Sequence, residues 1–65
     1  MSPQAERVLR ALQVNGSLAE STRTIGLSIV PAATPDAVRR CLGELRREGF
    51  KVERVPGSKL VRLGA

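Results

Sequence analysis

Apolar residues along the chain fall into two helical stripes and one alternating run, and this pattern sets the expected elements. Ala5, Val8, Leu9 and Leu12 recur at helical spacing, with Glu6, Arg7, Arg10 and Gln13 on the other side. Ser2 can cap the free N–H groups, Pro3 suits the first helical position, and Asn15-Gly16 supplies a left-handed stop. The pattern predicts a first helix over 3–14. A second stripe, Val38, Cys41, Leu42 and Leu45, follows Thr34-Pro35-Asp36. There Thr34 is the cap and Pro35 the first helical residue. Asp36 sets a negative charge on the positive end of the helix dipole. Gly49 ends the run, so the predicted helix spans 34–48. Cys41 reads as a small buried hydrophobe within that stripe.

After Gly49 the period changes. Phe50 and Val52 alternate with Lys51 and Glu53, which is strand spacing. Val55-Pro56-Gly57-Ser58 is a turn, and Lys59 starts a returning strand, so 50–63 reads as a β-hairpin. Between the two helices the pattern divides. Leu18, Thr22, Ile25 and Ile29 fit a helix, while Ile25, Leu27 and Ile29 fit a strand. Gly26 costs about 1 kcal/mol in a helix interior, and Pro31 ends any helix before it. The expectation is a short helix over 19–25 and then a long turn to Thr34.

Composition narrows the classes. The chain has 65 residues, one domain's worth, with 42% hydrophobic residues that are almost all aliphatic or alanine. A chain this short buries only about 60% of the surface its unfolded form exposes, which leaves little room for a deep active site. Eleven Lys and Arg face six Asp and Glu, a net charge of +5, and such an excess attracts polyanions. Phe50 is the one aromatic residue, so single-strand or RNA binding by base stacking has almost no material. The single Cys41 allows no internal disulfide, and the absence of His leaves no cluster for a transition metal. There is no nucleophile–base pair and no Gly-rich phosphate loop, so neither an enzyme nor a cofactor is expected. No apolar run approaches the ~20 residues of a membrane span, and no signal pattern opens the chain. A cytoplasmic protein is the resulting expectation.

The basic residues acquire a direction once they are placed on the 34–48 helix. With Val38 inward and about 100° per residue, Asp36, Arg40, Gly43 and Arg47 point nearly the opposite way, and Arg39 and Arg46 sit on one flank. Arginine is the commonest specific reader of guanine in the major groove, and Gly43 would allow close approach. Arg39 and Arg40 are therefore candidates for base readout, with Arg46 and Arg47 for phosphates. Arg54, Ser58 and Lys59 stand at or near the hairpin tip, and Arg23 precedes the long turn.

Several of these segments together resemble a known family. Thr34-Pro35-Asp36-Ala37-Val38, Leu45-Arg46-Arg47-Glu48-Gly49, Phe50-Lys51-Val52, Val55-Pro56-Gly57 and Asn15-Gly16 resemble the DNA-binding domain of the biotin repressor and related winged-helix regulators. The resemblance implies an α+β winged helix-turn-helix, three helices followed by a C-terminal β-hairpin wing, over a single domain 1–65. It implies a recognition helix 34–48 in the major groove, with Thr34, Asp36, Arg39 and Arg40 at the DNA. It places Arg54, Ser58 and Lys59 in a wing 51–63 on the backbone or in the minor groove. The ligase domain that accompanies this module in the biotin repressor has no counterpart in these residues. A second departure lies at 29–33, which lengthens the turn at which Ser28 would ordinarily cap the recognition helix.

The leading expectation is a sequence-specific binder of double-stranded DNA, a small transcriptional regulator or a recombination-directionality factor of a phage or mobile element. Weak homodimers or cooperative assembly on DNA would compensate for a small interface. The competing expectation is a protein-interaction winged helix, such as a phage protein docking on host transcription machinery. It rests on an exposed Ile29-Val30-Pro31 segment.

Overall fold

The computed structural model describes residues 1–64. Its elements in chain order are α1 (Pro3–Asn15), β1 (Glu20–Ser21), α2 (Thr22–Ser28), α3 (Pro35–Arg47), β2 (Val52–Arg54) and β3 (Leu60–Leu63). The three helices and a three-stranded antiparallel sheet of order β1-β3-β2 make an α+β fold.

Both long helices start where their caps dictate. The Ser2 hydroxyl accepts from the Ala5 N–H at 3.2 Å, and the Thr34 hydroxyl accepts from the Ala37 N–H at 3.2 Å. Each cap satisfies a donor that the first helical turn leaves without a partner. At its far end α3 closes through paired bonds, Gly49 N–H to Arg46 C=O at 3.1 Å and Phe50 N–H to Leu45 C=O at 3.0 Å. This closure requires a left-handed residue, and Gly49 supplies it at φ 97°. The chain is thereby turned from α3 directly into β2.

One aliphatic core holds these elements together. Ala5, Val8 and Leu12 from α1 meet Ile25 from α2, Val38, Cys41, Leu42 and Leu45 from α3, and Val52 and Val61 from the hairpin. Among the described residues no polar or charged residue is buried, so each element contributes only its apolar stripe. Phe50 and Leu63 pack at the margin.

The middle of the chain departs from expectation in three ways. First, the short helix is α2 at Thr22–Ser28 rather than 19–25, because Ser21 takes the cap position and its hydroxyl accepts from the Thr24 N–H at 3.1 Å. Second, Glu20 and Ser21 form a strand that pairs with Val61 and Leu60, so the expected two-stranded hairpin is part of a three-stranded sheet. Third, Gly26 lies inside α2 and not in the turn expected after residue 25. A Cβ there would fall inside the Ala33 carbonyl oxygen and 3.2 Å from Val38 Cγ2. The Ala33 N–H also donates to the Gly26 C=O at 3.0 Å. The cost of glycine in a helix is thus offset by a close approach that no side chain permits.

A second tether joins α1 to α3. The Ser2 N–H and hydroxyl donate to the two Glu44 carboxylate oxygens at 2.6 and 2.9 Å. These bonds favour the ionised carboxylate and hold the Glu44 pKa below its usual 4.5.

Two outcomes follow. Gly26→Ala is expected to lower stability by about 1–3 kcal/mol, a large share of the roughly 3–10 kcal/mol available to a domain of this size. Urea denaturation measures it, and an unchanged midpoint would contradict the close approach. For Glu44, a folded pKa below the unfolded one adds stability above about pH 4.5 that is lost as pH falls through the folded value. The Glu44→Gln protein should therefore show a shallower loss of stability on acidification than the parent, in urea melts between about pH 7 and pH 3.

Candidate functional site

Burial of one face of α3 fixes what the other face presents. Ala37, Val38, Cys41, Leu42 and Leu45 are buried, whereas Arg39, Arg40, Arg46 and Arg47 are all exposed. The helix is amphipathic along its whole length, about 20 Å at 1.5 Å per residue. Gly43 lies half-buried on this outer side, and the nearest atom to a Cβ there would be Arg47 Nη1 at 3.8 Å. Nothing in the fold therefore requires a glycine at 43, in contrast to Gly26.

The ion pairs divide the arginines. Arg39 is paired with Asp36 one turn before it on the helix surface. Asp36 and Arg39 thus form one neutralised unit rather than two independent groups. The other carboxylates of α3 and its cap are turned elsewhere, Glu44 to Ser2 and Glu48 to the Met1 amine at 3.5 Å. Among the described residues Arg40, Arg46 and Arg47 have no salt bridge. Arg46 Nη2 lies 3.5 Å from the Val52 C=O, which places this arginine where the last turn of α3 meets β2.

The hairpin register decides which of its charges remain available. Glu53 stands opposite Arg62, and its carboxylate lies 3.6 Å from Arg62 Nε and 3.8 Å from Lys51 Nζ. Lys51 and Arg62 are in this way paired on the outer face of the sheet. Arg54 stands opposite Val61 and alternates with Glu53, so it shares the sheet face of the buried Val52 and Val61. It is nonetheless exposed, at the end of edge strand β2 next to the 55–59 loop. Lys59 is exposed in that loop. Ser58 is engaged within it: its hydroxyl donates to the Val55 C=O at 3.0 Å and accepts from the Leu60 N–H at 3.2 Å.

At the other end of α3, Arg23 lines a shallow groove with Leu27, Ala33, Thr34 and Pro35. The fold thereby brings Arg23 from α2 beside the start of α3. The Thr34 hydroxyl is committed to its cap. The Cys41 thiol is buried in the core, and burial, followed by the charge of Glu44, pushes its pKa above the usual 9.0.

The segment before α3 is only half as expected. Val30 and Pro31 are exposed, Val30 at 86%, but Ile29 is buried at 6% and belongs to the core. Ile29 thus acts as an anchor that fixes the turn. Sequence reasoning missed the partner of that anchor, the Gly26–Ala33 contact, which sets where α3 begins. Its signal was a glycine placed against helix propensity. Among the described residues no helix is long and apolar enough to cross a membrane.

No protein-family model, curated protein or solved structure matches this chain. What the site does has to be read from its own residues.

Proposed function

We propose that the chain is a winged helix-turn-helix domain that binds double-stranded DNA sequence-specifically, with α3 in the major groove and the β2–β3 hairpin as the wing. One observation carries this reading. The outer face of α3 holds four exposed arginines, three of them without an acidic partner, along a rigid element whose opposite face is wholly buried. A helix of this kind fits a major groove about 12 Å wide, and unpaired arginines gain most from phosphates and guanine edges.

The roles follow from position. Arg39 and Arg40, in the first turns of α3, face the bases, and Arg46 and Arg47 in the last turn meet phosphates. Arg23 beside Thr34 reaches the backbone at the start of the helix. Arg54 and Lys59 carry the wing, whereas Ser58 and Thr34 serve chiefly as turn and cap. Asp36 pairs with Arg39, so in reaching a base this arginine exchanges a charged carboxylate for a neutral acceptor. Such a domain suits a small transcriptional regulator or a recombination-directionality factor. One copy would bury roughly 600–1,000 Å² of its surface, an area that favours cooperative or paired binding. The exposed Val30 supports a second reading, a winged helix that also docks on protein.

Selection from a random duplex library followed by anisotropy titrations tests the DNA reading. Affinity should fall steeply with salt, because several counterions are released together. Arg40→Ala should reduce discrimination between selected and unrelated duplexes by about 1–3 kcal/mol, the worth of one paired base contact. Lys59→Ala should weaken all duplexes alike. Binding that ignores salt, or no enrichment of any sequence, would sink the proposal.

The Asp36–Arg39 pair yields a separate outcome. Asp36→Asn should raise affinity for unrelated duplexes by releasing Arg39 and removing a negative charge, and should steepen the salt slope. Unchanged non-specific affinity would show that Arg39 does not face the DNA.

A further inference from the structure

A second exposed feature lies away from α3 and the hairpin. The last two turns of α1 and residues 28–30 enclose an open groove to which neither α3 nor the sheet contributes a residue. Its apolar lining is Ala11, Val14, Ile29 and Val30, with Arg7 and Arg10 at the rim. Val14 and Val30 are each 86% exposed, the highest values among the large hydrophobic residues. Two such valines converging on one groove are not explained by packing of the chain itself. Buried Ile29 holds the 28–30 wall in place, so the groove is preformed.

The rim charges select the occupant. Among the described residues, Arg7 and Arg10 have no salt bridge, although Glu6 lies one turn before Arg10 on the same helix. They are three residues apart, about one turn of helix, and therefore match carboxylates repeated at one-turn spacing. A second copy of the chain is a poor fit. Four of its six acidic residues, Asp36, Glu44, Glu48 and Glu53, are already engaged by Arg39, Ser2, the Met1 amine, and Lys51 with Arg62. The other two, Glu6 in α1 and Glu20 in β1, lie on different elements and offer no pair at one-turn spacing. Two copies docked groove to groove would oppose four arginines. Nucleic acid supplies the negative charge but nothing for the two valines.

We infer that this groove docks an acidic amphipathic segment of another protein, apolar side chains against Val14 and Val30 and carboxylates on Arg7 and Arg10. It deepens the second reading above by naming the chemistry of the partner, and it is independent of DNA binding. The domain then has two faces, a basic helix and hairpin for DNA and a basic-rimmed apolar groove for protein. Recruitment of a partner to DNA needs no further element.

The test is an amide NMR titration of the whole chain with a synthetic amphipathic peptide of roughly three helical turns. The peptide carries Leu on one face and Glu at one-turn spacing beside it. A matched peptide replaces Glu by Lys. The acidic peptide should move the amides of residues 7–15 and 28–30 and leave those of 39–47 and 54–59 unmoved, and the Lys peptide should bind roughly tenfold or more weakly. Arg7→Glu/Arg10→Glu should reverse that preference, and Val30→Asp should abolish binding. All three positions are exposed, and far-UV circular dichroism verifies that the variants remain folded. Shifts confined to α3 and the hairpin would overturn the inference, because the peptide would then be acting as a generic polyanion. Equal binding of both peptides, no binding at millimolar peptide, or concentration-dependent groove shifts without peptide would overturn it too. Repeating the titration with selected duplex present separates the two proposals. Failure to bind DNA leaves the peptide shifts as they are, and loss of peptide binding leaves the DNA affinity as it is.

Discussion

The peptide backbone of α2 and the segment leading into α3 touch at Gly26 and Ala33, and most of what α3 can present depends on that contact. The Ala33 N–H donates to the Gly26 carbonyl, and the missing side chain at Gly26 lets the Ala33 carbonyl approach closely. Ile29, buried on the near side of the turn, and the Thr34 cap on its far side fix the two ends. A six-residue connection that would otherwise aim α3 loosely becomes a determined one. Since α3 buries Ala37, Val38, Cys41, Leu42 and Leu45, its rotation about its own axis is fixed by the core as well. Position and rotation together leave the arginines one direction to face.

The far end of α3 is governed by equally local chemistry. Left-handed Gly49 closes the helix and sends Phe50 back to the core, which places β2 beside Arg46. Helix and hairpin therefore form one surface, joined by a turn of defined geometry. Within that surface the charge is uneven. Glu53 holds Lys51 and Arg62 on the outer face of the sheet, and Asp36 holds Arg39. The unpaired charge is left on Arg40, Arg46, Arg47, Arg54 and Lys59, residues of α3 and the hairpin end. Uneven neutralisation of this kind leaves unpaired positive charge on this surface, as it does on Arg7 and Arg10 of α1, in a chain whose net charge is +5.

The candidate site was partly legible from the residues alone. The outward arc of Arg39, Arg40, Arg46 and Arg47 follows from helical period once Val38 is taken as inward, and the structure exposes all four. The pairing of Asp36 with Arg39 was also within reach, because three-residue spacing on a helix brings opposite charges together. The use of the Ser58 hydroxyl inside its turn and the placing of Arg23 beside Thr34 were not. The first depends on the loop conformation and the second on how α2 packs. The groove of Arg7, Arg10, Val14 and Val30 was invisible for the same reason, since its two walls lie thirteen or more positions apart in sequence.

Sequence alone determined the two long helices and the hairpin, because caps, period and turn glycines act over a few residues and report on themselves. It also determined that the core would be aliphatic, with α3 as its centre. Only the tertiary structure decided the middle of the chain. Glu20 and Ser21 become a strand because β3 offers them partners, and α2 starts at Thr22 because Ser21 is then free to cap it. Gly26 is tolerated in a helix because Ala33 arrives against it. Ile29 turns inward while Val30 next to it turns out, a choice made by the core and not by hydrophobicity, which is similar for the two. These outcomes depend on residues distant along the chain, and local propensity carries no record of them.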